Sequence, residues 1–96
     1  MTKVQENIWN ELITKGEFTP RWKPGHEAQS LEAATSICEA LCRELGGQKK
    51  VIRCCGTQVD NWVIGNKVIG IFHTYNFTSH GVEENSEHFI IRLWTK

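Results

Sequence analysis

The pattern of apolar positions has a helical period in the first half of the chain. In residues 2–15 apolar side chains recur every three to four positions, a spacing that places them on one side of a helix. Thr2 and Gln5 fit a capping box, and Gly16 predicts the end of this short helix. Residues 17–26 contain both prolines of the chain and predict a stiff loop.

A second apolar stripe of the same period predicts a longer helix. It begins between Glu27 and Leu31, with Ser30 as a candidate N-cap because its hydroxyl can accept a hydrogen bond from a free N–H group of the first turn. It ends at Leu45, where two consecutive glycines follow. This helix is long enough to cover one face of a sheet.

From residue 50 onward the pattern changes to strand. Strands are predicted near residues 50–56, 59–64, 67–77 and 87–95. The Gly65-Asn66 pair between two β-branched runs favours a tight hairpin, and short turns between neighbouring strands favour a meander. The chain is therefore expected to be one α+β domain over residues 1–96. It would have one short and one long N-terminal helix, then a four-stranded antiparallel β-meander, with the long helix packed on one sheet face.

The hairpin turn also sets a register, and the register assigns side chains to the two sheet faces. It places Ile64 opposite Lys67, Trp62 opposite Ile69, and Asp60 opposite Ile71. The face predicted to form the core under the long helix holds Trp62, Ile69, Ile71, Phe89, Ile91 and Leu93. The other face is expected to expose Val63, Val68, Phe72, Ile90 and Trp94 together.

An exposed sheet face with several large apolar groups is typical of an interaction surface. We therefore expect those five residues to contact another protein or a second copy of the chain. The alternative is that the first helix or the 17–26 loop folds over this face, because Ile8, Trp9, Phe18 and Trp22 also need a packing site.

Composition and charge narrow the class of partner. The 96 residues are 40% hydrophobic and 23% charged, with eleven basic and eleven acidic side chains, so the net charge is zero. This balance argues against a nucleic-acid-binding footprint. The N-terminus carries no signal segment and no apolar run reaches membrane-spanning length, which predicts a cytoplasmic protein without membrane association.

The four cysteines are candidate metal ligands. Cys38 and Cys42 lie four residues apart on one side of the predicted helix, a spacing that can present two thiolates to a metal. Cys54 and Cys55 are adjacent, so on a strand they point to opposite faces, and the chain lacks the usual spacing of zinc ligands. The prediction is four thiols that pack as small apolar side chains, with no metal and no cofactor.

Several other side chains are candidates for a ligand site. Trp22, Trp62, His73 and Tyr75 would line an aromatic pocket for a small molecule or nucleotide between helix and sheet. His73 could also act as a general base for a cysteine nucleophile. Glu83 and Glu84, in the polar loop between His80 and His88, suit either a solvated acidic loop or a contact with a basic partner.

Taken together, these patterns favour binding over catalysis. We expect a small, non-enzymatic protein-interaction or inhibitor-type module that acts through the exposed sheet face, and a homodimer through the same face is compatible with this. No catalytic residue is assigned. Small proteins of this kind occur in bacteria and phages, where they occlude a site on a larger partner. The alternative is a small-molecule or nucleotide-binding domain, and the third hypothesis is an enzyme that uses Cys and His.

Overall fold

A computed structural model describes residues 1–23, 25–50 and 58–96 of the chain. In chain order the elements are α1 (Lys3–Lys15), β1 (Glu17–Phe18), α2 (Glu27–Glu44), β2 (Gln48–Lys50), β3 (Gln58–Ile64), β4 (Lys67–Thr74), β5 (Phe77–Thr78), β6 (Gly81–Val82) and β7 (His88–Thr95). Five strands form an antiparallel sheet in the order β1-β7-β4-β3-β2, and β5 and β6 pair separately. The predicted α+β class is confirmed, including the meander and the packing of α2 on the sheet. Most of the predicted 50–56 strand lies outside the described residues.

Helix α1 begins and ends as the sequence predicts. The Gln5 side chain accepts a hydrogen bond from the Thr2 backbone N–H at 2.8 Å, and the Thr2 hydroxyl accepts one from the Gln5 N–H at 3.2 Å. Gly16 follows with φ +80°, a left-handed conformation that a residue without Cβ adopts easily. The chain then turns directly into β1, a two-residue strand within the segment that was predicted to be loop only.

Helix α2 begins three residues before Ser30, so the prediction of Ser30 as the N-cap is wrong. Ser30 is instead fully buried inside the helix, where its hydroxyl bonds the backbone of β7. The backbone of Phe89 needs this contact because β1 pairs with β7 only as far as Ile91. The helix therefore supplies a hydrogen-bonding group where the edge strand has ended.

The predicted hairpin register is correct near the turn and wrong at its far end. Trp62 pairs with Ile69, as expected, but Asn61 pairs with Gly70 and Gln58 with Phe72. Two residues of β3, Val59 and Asp60, therefore stand opposite the single residue Ile71. This β-bulge removes the predicted pairing of Asp60 with Ile71.

Both helices pack on the same face of the sheet, and that face forms the core. Its fully buried members include Trp62, Ile69, Ile71 and Ile91 from the sheet, Leu12 from α1, and Ala34, Cys38 and Leu41 from α2. Ile8, Trp9 and Phe18 pack against the same core cluster. The core assignment is confirmed, and these side chains find their packing site there rather than on the second face. None of the described helices is long and apolar enough to cross a membrane.

Candidate functional site

The second sheet face is less open than the alternation of apolar residues suggests. Of the five residues expected to be exposed there, Val68 is only 5% exposed and Ile90 only 6%. Val63, Phe72 and Trp94 are half-buried. The expectation that all five are exposed together is therefore wrong for Val68 and Ile90, and any contact through this face would rest on the other three.

Trp94 accounts for part of the burial on the second sheet face, because its indole lies over Gly70. A Cβ atom at Gly70 would come within 2.8 Å of Trp94 Cη2 and 2.5 Å of the Asn61 side-chain oxygen. Beside them, Phe72 meets Trp94 edge to face at 5.8 Å between ring centres, and the Arg92 guanidinium lies 5.2 Å from the Phe72 ring centre. The large side chains of this face thus lie along the sheet and pack on one another.

The most exposed apolar pair of the described residues lies elsewhere, on a small hairpin between β4 and β7. Phe77 and Val82 are directly opposed on β5 and β6, and they are 73% and 55% exposed. We refer to residues 76–83, which contain this hairpin, as the arm. A contiguous pair of exposed apolar side chains, one of them aromatic, is a candidate binding surface.

The base of the arm is fixed by a compact set of hydrogen bonds. The Ser86 hydroxyl, which belongs to a residue only 2% exposed, donates to the Glu83 carbonyl oxygen at 2.6 Å and accepts from the Asn76 N–H at 3.1 Å. The Glu83 N–H donates to the Asn76 carbonyl oxygen at 2.9 Å, and the Asn76 amide donates to the Glu83 carboxylate at 3.2 Å. The arm is therefore ordered before any partner is present.

The surroundings of the arm are acidic. From residue 68 to residue 91 the sequence contains Glu83, Glu84 and Glu87 and no lysine or arginine. Glu83 and Glu84 are exposed, and Glu87 is partly buried. The exposed apolar pair is thus accompanied by negative charge.

The four residues predicted to line an aromatic pocket lie in different places. Trp62 lies in the core, where it is 1% exposed and pairs with Ile69 of β4. His73 lies four residues beyond Ile69 on β4, which is about 13 Å along the strand. Its ring contacts that of Tyr75, with 4.9 Å between the ring centres. Trp22 stacks on His88 with 4.5 Å between ring centres. His73 and Tyr75 are thus in ring contact, whereas Trp22 stacks on His88 and Trp62 lies under Lys49.

His73 lies at the margin of the core beside the start of α2. Its ring stacks on Phe89 at 4.9 Å, and its Nε2 atom is 3.1 Å from a carboxylate oxygen of Glu27. This distance suits an ion pair when the ring is protonated, although among the described residues Nε2 has no aligned hydrogen-bond partner. The Glu27 contact joins the first turn of α2 to β4.

The described cysteines have the properties of core residues. Burial raises the pKa of the Cys38 thiol far above its usual range, and the nearby Cys42 thiol and two carboxylates add to the shift. Burial also raises the pKa of Cys42. A thiol that holds its proton this strongly is a poor nucleophile.

No three His, Cys, Asp or Glu side chains of the described residues are grouped as metal ligands. Cys54 and Cys55 lie outside the described residues.

Comparisons with protein-family models, with curated proteins and with solved structures found no match to this chain. The arguments for a site therefore come from the arm itself.

The sequence signal for the arm is weak. The alternation of residues 67–77 predicts one continuous strand and does not reveal that β4 ends at Thr74. A signal was nevertheless present, because Phe77-Thr78 and Gly81-Val82 are separated by only two residues, the length of a tight hairpin loop.

Proposed function

We propose that this chain is a small protein-binding module whose main contact is the arm. One observation carries this proposal: Phe77 and Val82 are paired and highly exposed. They lie on a hairpin whose base is held by hydrogen bonds. The partner is a protein with a recess that accepts the Phe77 ring.

Two physical arguments support a binding role for the arm. Burying an exposed Phe side chain contributes about 1.5–3 kcal/mol, and aromatic residues are frequent binding hot spots. An arm that is already ordered by Ser86 and Asn76 loses less conformational entropy when it binds. Both effects favour a specific contact from a small surface.

Affinity capture from an extract of the source cells tests this proposal. The bait proteins are the wild type, Phe77→Ser and the control Ile13→Ser, which alters an exposed apolar residue of α1. The expected result is a protein enriched by the wild type and by Ile13→Ser but not by Phe77→Ser. Equal enrichment by all three baits would contradict the proposal.

The second sheet face is a further candidate surface for the same function, now limited to Val63, Phe72 and Trp94. These half-buried residues lie beside Arg92, whose charge is partly balanced by Glu17 at 3.9 Å. If this face binds, Phe72→Glu removes capture of the partner while the urea midpoint stays near that of the wild type. A large fall in that midpoint would instead show that Phe72 serves the packing of the face.

A second candidate function, nucleotide binding, is favoured by a recess at Trp22. This recess of about 520 Å³ is lined by Trp22, by the cations Arg21 and Lys23, and by Pro20 and Gln29. An aromatic ring beside two cations suits a base with its phosphates. Titration with ATP should quench tryptophan fluorescence in the wild type and not in Trp22→Leu; the absence of quenching in the wild type would exclude this function.

A further inference from the structure

The glutamates that follow the arm and the lysines near the end of β7 lie towards opposite ends of strands β4 and β7. The arm and its acidic residues connect the end of β4 at Thr74 to the start of β7 at His88. The opposite ends of these strands, where Lys67 pairs with Thr95, carry basic residues. The two ends are about 25 Å apart for strands of this length. Carboxylates thus accompany the arm at one end of these strands, where Arg21 and Lys23 also lie beside the Trp22 ring that stacks on His88, and lysines lie towards the other end.

The basic end contains a recess of about 310 Å³. Its lining residues are Gln48, Lys49, Lys50, Val63 and Lys96, and we call it the lysine recess. Lys49 lies 3.8 Å from Asp60, so part of its charge is balanced. Within the part of the chain that the structure describes, Lys50 and Lys96 are exposed and form no ion pair.

We infer that the arm of one copy docks in the lysine recess of the next copy. The arm offers an exposed aromatic ring accompanied by carboxylates, and the recess offers lysine ammonium groups, their aliphatic stems and Val63. Carboxylates in and beside the arm meet the exposed ammonium groups of the recess, and the Phe77 ring meets apolar surface. Since the net charge is zero, no overall repulsion opposes the contact.

This contact joins two different surfaces, so a joined pair keeps a free recess on one copy and a free arm on the other. Such a head-to-tail contact builds open chains of copies rather than a closed dimer, and its charge component weakens with salt. The inference rests on the proposed function, because it uses the same arm, and it names a second copy as the partner.

Sedimentation velocity on the full chain over a range of concentrations tests the inference, in about 20 mM and in about 500 mM salt. In low salt the weight-average mass should rise above the 11.0 kDa of one copy without stopping at two copies. In high salt the apparent association constant should fall on the order of tenfold.

Charge reversal makes the test specific. One variant carries Glu84→Lys and Glu87→Lys, which leave the Asn76–Glu83 contact of the arm intact. The other carries Lys50→Glu and Lys96→Glu in the recess. Each variant alone should stay monomeric, and an equal mixture should assemble again, because each reversed surface then meets an opposite charge. Circular dichroism and the urea midpoint confirm that both variants are folded.

Three results would overturn the inference: a wild type that is monomeric in low salt, a mass that stops at two copies and ignores salt, or a mixture that stays monomeric. In the first case the arm can still bind a different protein, which the capture experiment with Phe77→Ser detects independently. Failure of self-association and failure of the proposed function are therefore distinguishable.

Discussion

The hydroxyl of Ser30 hydrogen-bonds both backbone groups of Phe89: it accepts from the N–H at 2.8 Å and donates to the carbonyl oxygen at 3.3 Å. Both residues are buried, and they are 59 positions apart in sequence. One side chain of α2 thus completes the hydrogen bonding of β7 beyond the end of β1. It also holds the first turns of the helix against the sheet.

Replacing Ser30 with Ala should destabilise the protein by about 1–3 kcal/mol, because it leaves two buried backbone groups unpaired. Ser36→Ala is the matched control, since Ser36 lies exposed on the same helix. Urea unfolding followed by circular dichroism measures the difference. If both variants unfold at the same urea concentration, the Ser30 contact has no role in stability.

Ser30 also illustrates how far the sequence predicts the fold. The helices, the Gly65-Asn66 turn and the core face follow from local patterns of apolar residues, and the structure confirms them. The partner of Ser30 does not follow, because a serine near a helix start fits a cap equally well and Phe89 is remote in sequence. The bulge opposite Ile71 could not be predicted for a related reason. One extra residue in β3 changes its register with β4 without changing the apolar composition of the strand.

The candidate site was less predictable than the fold. Alternation places Val68 and Ile90 on the second face but does not reveal that neighbouring side chains cover them. Phe77 appears in the sequence as the last apolar residue of a long strand. Its exposure depends on where β4 ends, and hydrogen bonds of Asn76 and Ser86 fix that point.

The close approach of Trp94 to Gly70 decides the sign of a second prediction. In an open strand, Gly→Ala would stabilise by about 0.5–1 kcal/mol. Here the added Cβ meets the Asn61 side-chain oxygen and the indole, so Gly70→Ala should instead cost about 1–3 kcal/mol. In a Trp94→Ala background the cost should become smaller, and a double-mutant cycle from urea unfolding measures the coupling. Equal costs in both backgrounds would show that Trp94 does not constrain Gly70.

Removing the Ser86 hydroxyl should loosen the arm and leave the core intact. In Ser86→Ala the Glu83 carbonyl oxygen and the Asn76 N–H lose their common partner, so the arm should open more often. The expected result is faster hydrogen exchange at the Glu83 amide, with unchanged exchange at core amides of β4. Ser79→Ala, an exposed change at the tip, should leave the Glu83 rate unchanged; an unchanged Glu83 rate in Ser86→Ala would contradict the bracing role.

The buried thiols predict a loss of stability at alkaline pH. Their pKa is raised in the folded state, so the folded protein keeps protons that the unfolded chain releases above about pH 8.5. The stabilisation is complete below that pH and declines as pH rises, by up to about 1.4 kcal/mol per pH unit for the Cys38 thiol. Urea unfolding between pH 8 and pH 10 should show a steeper decline in wild type than in a Cys38→Ala, Cys42→Ala variant. Equal slopes would contradict this.

Photo-crosslinking from the arm tests the central claim most directly. A photoreactive phenylalanine analogue replaces Phe77 in one protein and Ile13 in a control, and each protein is irradiated in an extract of the source cells. The account predicts a discrete adduct from position 77 and none of the same mass from position 13. Mass spectrometry of the adduct separates a second copy of the chain from another protein. No adduct from position 77, or the same adducts from both positions, would contradict the claim that the arm is the binding element.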